Sequence, residues 1–195
     1  AQAPEGRKLR YFTPFHGERH YFEKDTYCCP GNFRRILSDL GAMVYYKTPN
    51  GILINQYTAS EASFPTSNGG SARIRLETEY PASGRISAYI ETDRPAPFEL
   101  RLRVPRWAES ATITINGDAA EAPAKPGEYW TCEREWNPGD HLVMELPMPV
   151  RVVRGRQMQA RHAALMRGPL VFGVNTTRQT MRMEPELAMM RLDPH

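Results

Sequence analysis

From Ala42 to Val174 the chain alternates apolar and polar residues with period two, in short runs closed by turn-forming residues. That period places successive side chains on opposite faces of an extended strand, and no helix of ordinary length can hold it. The runs fall at 43–47, 52–59, 72–78, 85–91, 98–104, 112–115, 129–133, 142–146, 150–153, 161–166 and 170–174. Turn chemistry separates them at Thr48-Pro49-Asn50-Gly51, Pro81-Ala82-Ser83-Gly84, Asn116-Gly117, Pro126-Gly127, Asn137-Pro138-Gly139-Asp140 and Gly168-Pro169. Thr48-Pro49-Asn50-Gly51 between two such runs signals a hairpin. Many short strands at this close spacing predict an all-β fold, an antiparallel β-sandwich.

One helix precedes the strands. Phe33, Ile36, Leu37 and Leu40 recur at i, i+3, i+4 and i+7, with Arg34, Arg35, Ser38 and Asp39 off that face. Gly41 is a natural stop, so the spacing predicts a helix over 31–40. The alternation fades after residue 174, where Met181, Met183, Met189 and Met190 cluster near Leu187. Methionine-rich segments of this kind fill gaps in cores or form tails. The expected division is therefore 1–41, 42–174 as the sandwich, and 175–195 as a tail or the start of a second sandwich.

At 195 residues the chain is long enough to bury a sizeable core, and 41% hydrophobic with 24% charged residues is ordinary for a globular protein. A formal net charge of +3, with arginines scattered rather than clustered, does not suggest a nucleic-acid partner. No apolar run approaches the roughly 18 residues a membrane helix needs, so no membrane partner is expected either.

The stretch with chemical potential is Tyr27-Cys28-Cys29-Pro30-Gly31-Asn32-Phe33-Arg34-Arg35. Two adjacent thiols out of three cysteines stand before a helix start and two arginines, surroundings that favour the reactive thiolate. Inert buried cysteines and a strained vicinal disulfide are the competing readings. As metal ligands the pair is incomplete, because catalytic zinc usually takes three protein donors and structural zinc four. His16, Glu18, His20, Glu23 and Asp25 lie nearby in sequence, but none sits at a recognised zinc spacing. Cys132 falls within an alternating strand and reads as a packing residue.

Several short motifs, in order, resemble the DUF1680 proteins, which include the β-L-arabinofuranosidases of glycoside hydrolase family 127. They are Tyr-x-Thr-Pro-x-x-Gly over 11–17, Cys28-Cys29-Pro30-x-Asn32-x-x-Arg35, and Asn50-Gly51-Ile52-Leu53-Ile54-Asn55-Gln56-Tyr57. The likeness continues through Glu77-Thr78-Glu79-Tyr80-Pro81-x-x-Gly84 and Leu102-Arg103-Val104-Pro105-Arg106-Trp107-Ala108. It closes with Asn116-Gly117, Arg134-x-Trp136-x-x-Gly139-Asp140, Leu146-Pro147-Met148 and Arg167-Gly168-Pro169-Leu170-Val171. Each is weak alone; their order and spacing across 9–174 are specific.

The resemblance implies a retaining glycoside hydrolase in which a zinc-bound cysteine replaces the usual carboxylate nucleophile. Carried over, Cys28 is nucleophile and zinc ligand and Cys29 a zinc ligand, with plant-derived arabinoside glycans as substrate. In the family, the remaining zinc ligands (a glutamate and a cysteine) and the acid/base glutamate lie in a helical (α/α) barrel ahead of the Cys-Cys motif. Only 27 residues precede Cys28 here. The resemblance thus implies the C-terminal portion of such an enzyme. Residues 1–41 would be a remnant of the barrel, the short helix would be left from it, and the zinc site would be incomplete. The partner would be a separate N-terminal barrel domain or another copy of the chain.

Trp107, Trp130 and Trp136 are candidates for sugar stacking, but tryptophans at strand ends usually plug a sandwich core, which is the favoured reading here. His141, His162 and His195 form no constellation. Two functions follow. One is the catalytic C-terminal part of a β-L-arabinofuranosidase-like hydrolase, inactive as an isolated chain. The other is a non-catalytic β-sandwich accessory module that supports a barrel or contacts glycan.

Overall fold

The computed structural model describes residues 28–157, 160 and 162–172. It divides into two compact units, 1–147 and 148–195. The first opens with helix α1 (Cys28–Asp39) and one 3-10 turn (Leu40–Met43). The helix begins three residues before the predicted start. Its apolar face is half-exposed, with Phe33 at 57% and Ile36 and Leu37 at 55%.

Ten strands follow in this unit: β1 (Tyr45–Thr48), β2 (Gly51–Ile54), β3 (Ser60–Pro65), β4 (Ser71–Thr78) and β5 (Arg85–Thr92) come first. They continue with β6 (Ala96–Arg103), β7 (Thr112–Ile115), β8 (Asp118–Ala119), β9 (Tyr129–Trp136) and β10 (His141–Glu145). They form one sheet in the order β1-β2-β6-β9 and another in the order β3-β4-β5-β10-β7-β8. Between them lies a core that includes Ile52, Ile54, Ile74, Leu76, Ile90, Leu100, Leu102, Leu142 and Trp136, all nearly fully buried. This is the all-β sandwich that the alternation predicts.

The alternation works as the pleat requires. In β6, Ala96, Phe98, Leu100 and Leu102 face the core, while Arg101 and Arg103 lie on the opposite face. In β4, Ala72, Ile74 and Leu76 point inward between exposed or half-exposed Arg73, Arg75 and Glu77. Two strands escaped the sequence reading. β3 has only Ala62 and Phe64 as apolar core-side residues, and β8 is two residues long. One pairing is not antiparallel: β2 runs parallel to β6, with Gly51 opposite Glu99.

Local chemistry sets the turns. Pro49-Asn50 joins β1 to β2 in a hairpin whose register pairs Thr48 with Gly51. Asn116 (φ 54°) and Gly117 (φ 94°) both adopt the left-handed conformation of a tight hairpin turn between β7 and β8. The Asn116 side chain donates to Asp140 Oδ1 at 2.8 Å and accepts from the His141 amide at 2.9 Å. Asp140, 6% exposed, also accepts from the Asn137 amide at 2.9 Å. A buried carboxylate is thereby satisfied while two turns are tied together.

The second unit contains β11 (Val150–Arg154), β12 (Ala163–Arg167) and β13 (Leu170–Phe172), an antiparallel three-stranded sheet.

Candidate functional site

Cys28 and Cys29 stand in the first turn of α1. A helix N-terminus concentrates unpaired amides and partial positive charge, which favours a thiolate. The helix carries no acidic residue in its first turn to oppose this. The side chains of residues 28–30 lie outside the described residues, as do His16, Glu18, His20, Glu23 and Asp25. Arg34 and Arg35 are exposed on the same helix, and Ser38 Oγ donates back to the Arg34 carbonyl at 3.1 Å.

Two adjacent thiols suit zinc by donor type, since thiolate is among its preferred ligands. Among the described residues, no group of three or more His, Cys, Asp or Glu is placed to hold a metal ion. Cys132 is no candidate to complete one. It sits half-buried in β9 against the core, and burial pushes its thiol above the ordinary range, keeping it protonated. It packs, as its strand position predicts.

The tryptophans also belong to the core. Trp136 is fully buried, donates from Nε1 to the Phe98 carbonyl at 3.1 Å and stacks on Phe98 at 5.6 Å between centroids. Trp130 is 3% exposed and donates to the Ala122 carbonyl at 3.0 Å. Trp107 packs against the same cluster. Trp130 and Trp136 are thus closed to sugar stacking, while Trp107 keeps part of its surface exposed. His141 stacks on Tyr89 at 4.4 Å, and Arg75 lies 4.4 Å from the same ring, a cation–aromatic row across the six-stranded sheet.

The sequence reading missed a cavity of about 330 Å³ at one end of the sandwich, where the β1–β2 turn meets the end of β3 and the start of β6. Phe64 and Phe98 line it, edge to face at 5.1 Å, with Lys47, Asn50, Ser67 and Glu133. Its lining residues lie up to 86 positions apart, so only the Pro49-Asn50 turn at its rim was legible as a local signal. Beside it, Glu99 is 7% exposed and hydrogen-bonded to Arg101 at 2.8 Å and Thr48 at 3.1 Å. The Arg101 guanidinium, helped by Thr48, holds the Glu99 carboxyl below its usual range against the opposing effect of burial.

Comparison with known proteins identifies the class: the chain shares its fold with glycoside hydrolases. The sequence profile of the β-L-arabinofuranosidase GH127 middle domain matches residues 51–148, half of the chain, and the chain belongs to glycoside hydrolase family 127. A GH127 β-L-arabinofuranosidase from Geobacillus stearothermophilus T6 is 29% identical with a TM-score of 0.76, covering 87% of this chain and 29% of its own. A second solved structure, described as a glycoside hydrolase, is 26% identical with a TM-score of 0.69, covering 84% of this chain and 28% of its own. A GH127 β-arabinofuranosidase is 25% identical with a TM-score of 0.62, covering 74% and 25% respectively. The chain thus spans between a quarter and a third of the length of these relatives. Among curated proteins, none matches.

Proposed function

We propose that this chain is the C-terminal part of a retaining glycoside hydrolase acting on β-L-arabinofuranosides, with Cys28 as nucleophile. The observation that carries the reading is the family match over 51–148 directly behind a helix whose first turn holds Cys28 and Cys29. In this reading the Cys28 thiolate attacks the anomeric carbon, the glycosidic oxygen leaves with a proton from a general acid, and water then cleaves the thioglycoside with retention. Cys28 and Cys29 are the zinc donors that this chain contributes. Bound zinc holds a thiol deprotonated at neutral pH. The acid/base and the remaining donors come from a helical barrel domain or from another copy of the chain.

The test compares the isolated chain with a fusion that places the helical domain of a relative ahead of residue 1, using p-nitrophenyl β-L-arabinofuranoside. The isolated chain is expected to show negligible turnover, because general acid catalysis contributes on the order of 10²–10⁴-fold. The fusion is expected to hydrolyse the substrate and to lose activity in Cys28→Ser. An active Cys28→Ser fusion refutes the nucleophile, and sustained turnover by the isolated chain refutes the division of labour.

A further inference from the structure

The three-stranded sheet of the second unit leaves an apolar stripe open on one face. Its ladder sets Val152 opposite Leu165 and Leu165 opposite Phe172, and these three are 41%, 47% and 48% exposed. Val150, 60% exposed, lies on the same face two residues along β11. Arg151, Ala164 and Met166, on the other face, are only half-exposed. Strands this short and this few hold together when an apolar face is covered. We propose that residues 183–193 of this chain dock on the Val152–Leu165–Phe172 stripe and cover it. This goes beyond the catalytic reading of Cys28 and does not depend on it.

Charge selects the occupant. Residues 148–172 include Arg151, Arg154, Arg156, Arg161 and Arg167 and no aspartate or glutamate. By the alternation of the pleat, Arg154 and Arg167 stand on the face of the stripe, two residues to either side of its row. At a rise of about 3.3 Å per residue, each lies roughly 7 Å from that row. Arg154 and Arg156 are exposed, and neither makes an ion pair among the described residues. A second copy of the same face would set arginine against arginine with no acid to answer it, and like charges brought together at an interface disfavour it. The occupant this face asks for is apolar and acidic.

The same unit runs on to residue 195, and its acidic residues all follow the sheet: Glu184, Glu186 and Asp193. Residues 173–195 themselves lie outside the described residues. Over 183–193 these three acids stand against one arginine, Arg191, a net charge of −2. Leu187, Met189, Met190 and Leu192 fall between Glu186 and Asp193, an apolar centre with an acid on either side. That is the counterpart of an apolar row with an arginine on either side. Met183, Leu187 and Met190 recur at i, i+4 and i+7, so one helical stripe would present all three. Unbranched methionine side chains also adapt to an irregular apolar surface. Ten residues separate Phe172 from Met183. Extended, they reach about 33–36 Å, whereas three strands span only about 10 Å. The chain can therefore turn back over β12 with slack.

The experiment is methyl NMR on the full 195-residue chain, labelled at methionine, leucine and valine. The expected result is nuclear Overhauser contacts from the methyls of Met183, Met189 or Met190 to those of Val152 and Leu165. A sample mixing labelled and unlabelled protein separates contacts within one chain from contacts between copies. Glu184→Lys combined with Glu186→Lys is expected to remove these contacts and to raise the binding of an apolar fluorescent dye about threefold to tenfold. The signals of Leu100 and Leu142 in the sandwich core are expected to stay in place in that variant. Raising the salt concentration is expected to act in the same direction, because it screens exposed charges. Absent contacts, contacts only between copies, or dye binding unchanged by the two charge reversals overturns the proposal. Cys28→Ser is expected to leave the contacts unaltered, so failure here is distinguishable from failure of the catalytic reading.

Discussion

Replacing Gly51 with alanine tests how closely the two halves of the four-stranded sheet approach. A Cβ at this position falls 2.0 Å from the Glu99 carbonyl oxygen and 2.8 Å from the Glu99 carbonyl carbon and amide nitrogen. The obstruction is backbone, so no side chain can swing aside. The oxygen contact is about 1.4 Å short of the 3.4 Å at which ordinary contact begins, and β2 must move away from β6 by a comparable amount. Such a shift breaks the bond from the Glu99 amide to the Asn50 carbonyl and loosens the parallel pairing of Gly51–Ile54 with Glu99–Leu102. It also partly uncovers Ile52 and Ile54, now 4% and 0% exposed. Two weakened ladder bonds at roughly 1 kcal/mol each, with partial loss of two side chains worth about 1.5–3 kcal/mol apiece when fully buried, place the cost near 2–4 kcal/mol. Thermal unfolding followed by circular dichroism is expected to show Tm lowered by about 10 °C. Gly41→Ala is the matched control, because its Cβ would meet nothing within 4 Å; a change below about 0.5 kcal/mol is expected there. A Gly51→Ala protein with Tm within about 1 °C of the parent, or a control equally affected, refutes the close-approach argument.

Two further outcomes follow from the core and from the buried carboxylate of Glu99. Trp136→Ala removes a fully buried ring and the donor to the Phe98 carbonyl, and is expected to cost about 3–5 kcal/mol in urea unfolding, against under 1 kcal/mol for Thr131→Ala on the exposed side of the same strand. Because the folded state lowers the carboxyl pKa of Glu99, its contribution is present above the unfolded carboxylate range and is lost as pH falls through the folded value. Glu99→Gln is accordingly expected to flatten the fall in urea midpoint between neutral and acid pH, and an unchanged acid limb would refute that assignment.

How much was legible in the sequence depended on how local each determinant was. β4, β5 and β6 were readable because eight residues of alternation in each leave one apolar face, and one face must be buried. The hairpin at Pro49-Asn50 was readable because its turn residues prescribe their own backbone. β3 was not, since Ser-Glu-Ala-Ser-Phe-Pro offers too little hydrophobic contrast and becomes a strand by pairing along β4. The helix was legible from its 3.6-residue period, and α1 is present with that apolar face half-exposed.

The sequence by itself determined the all-β class, the packing role of Cys132 and the tryptophans, and membership of the family, because each is written in local periodicity or ordered motifs. Tertiary structure alone decided that β2 lies parallel to β6, since alternation reports which face is buried and carries no strand direction. It alone drew Lys47, Phe64, Phe98 and Glu133 around one cavity and set Glu133 opposite Glu99 while Arg101 attends to the latter. Those contacts join residues far apart in the chain, and their geometry exists only once the two sheets have closed on their common core.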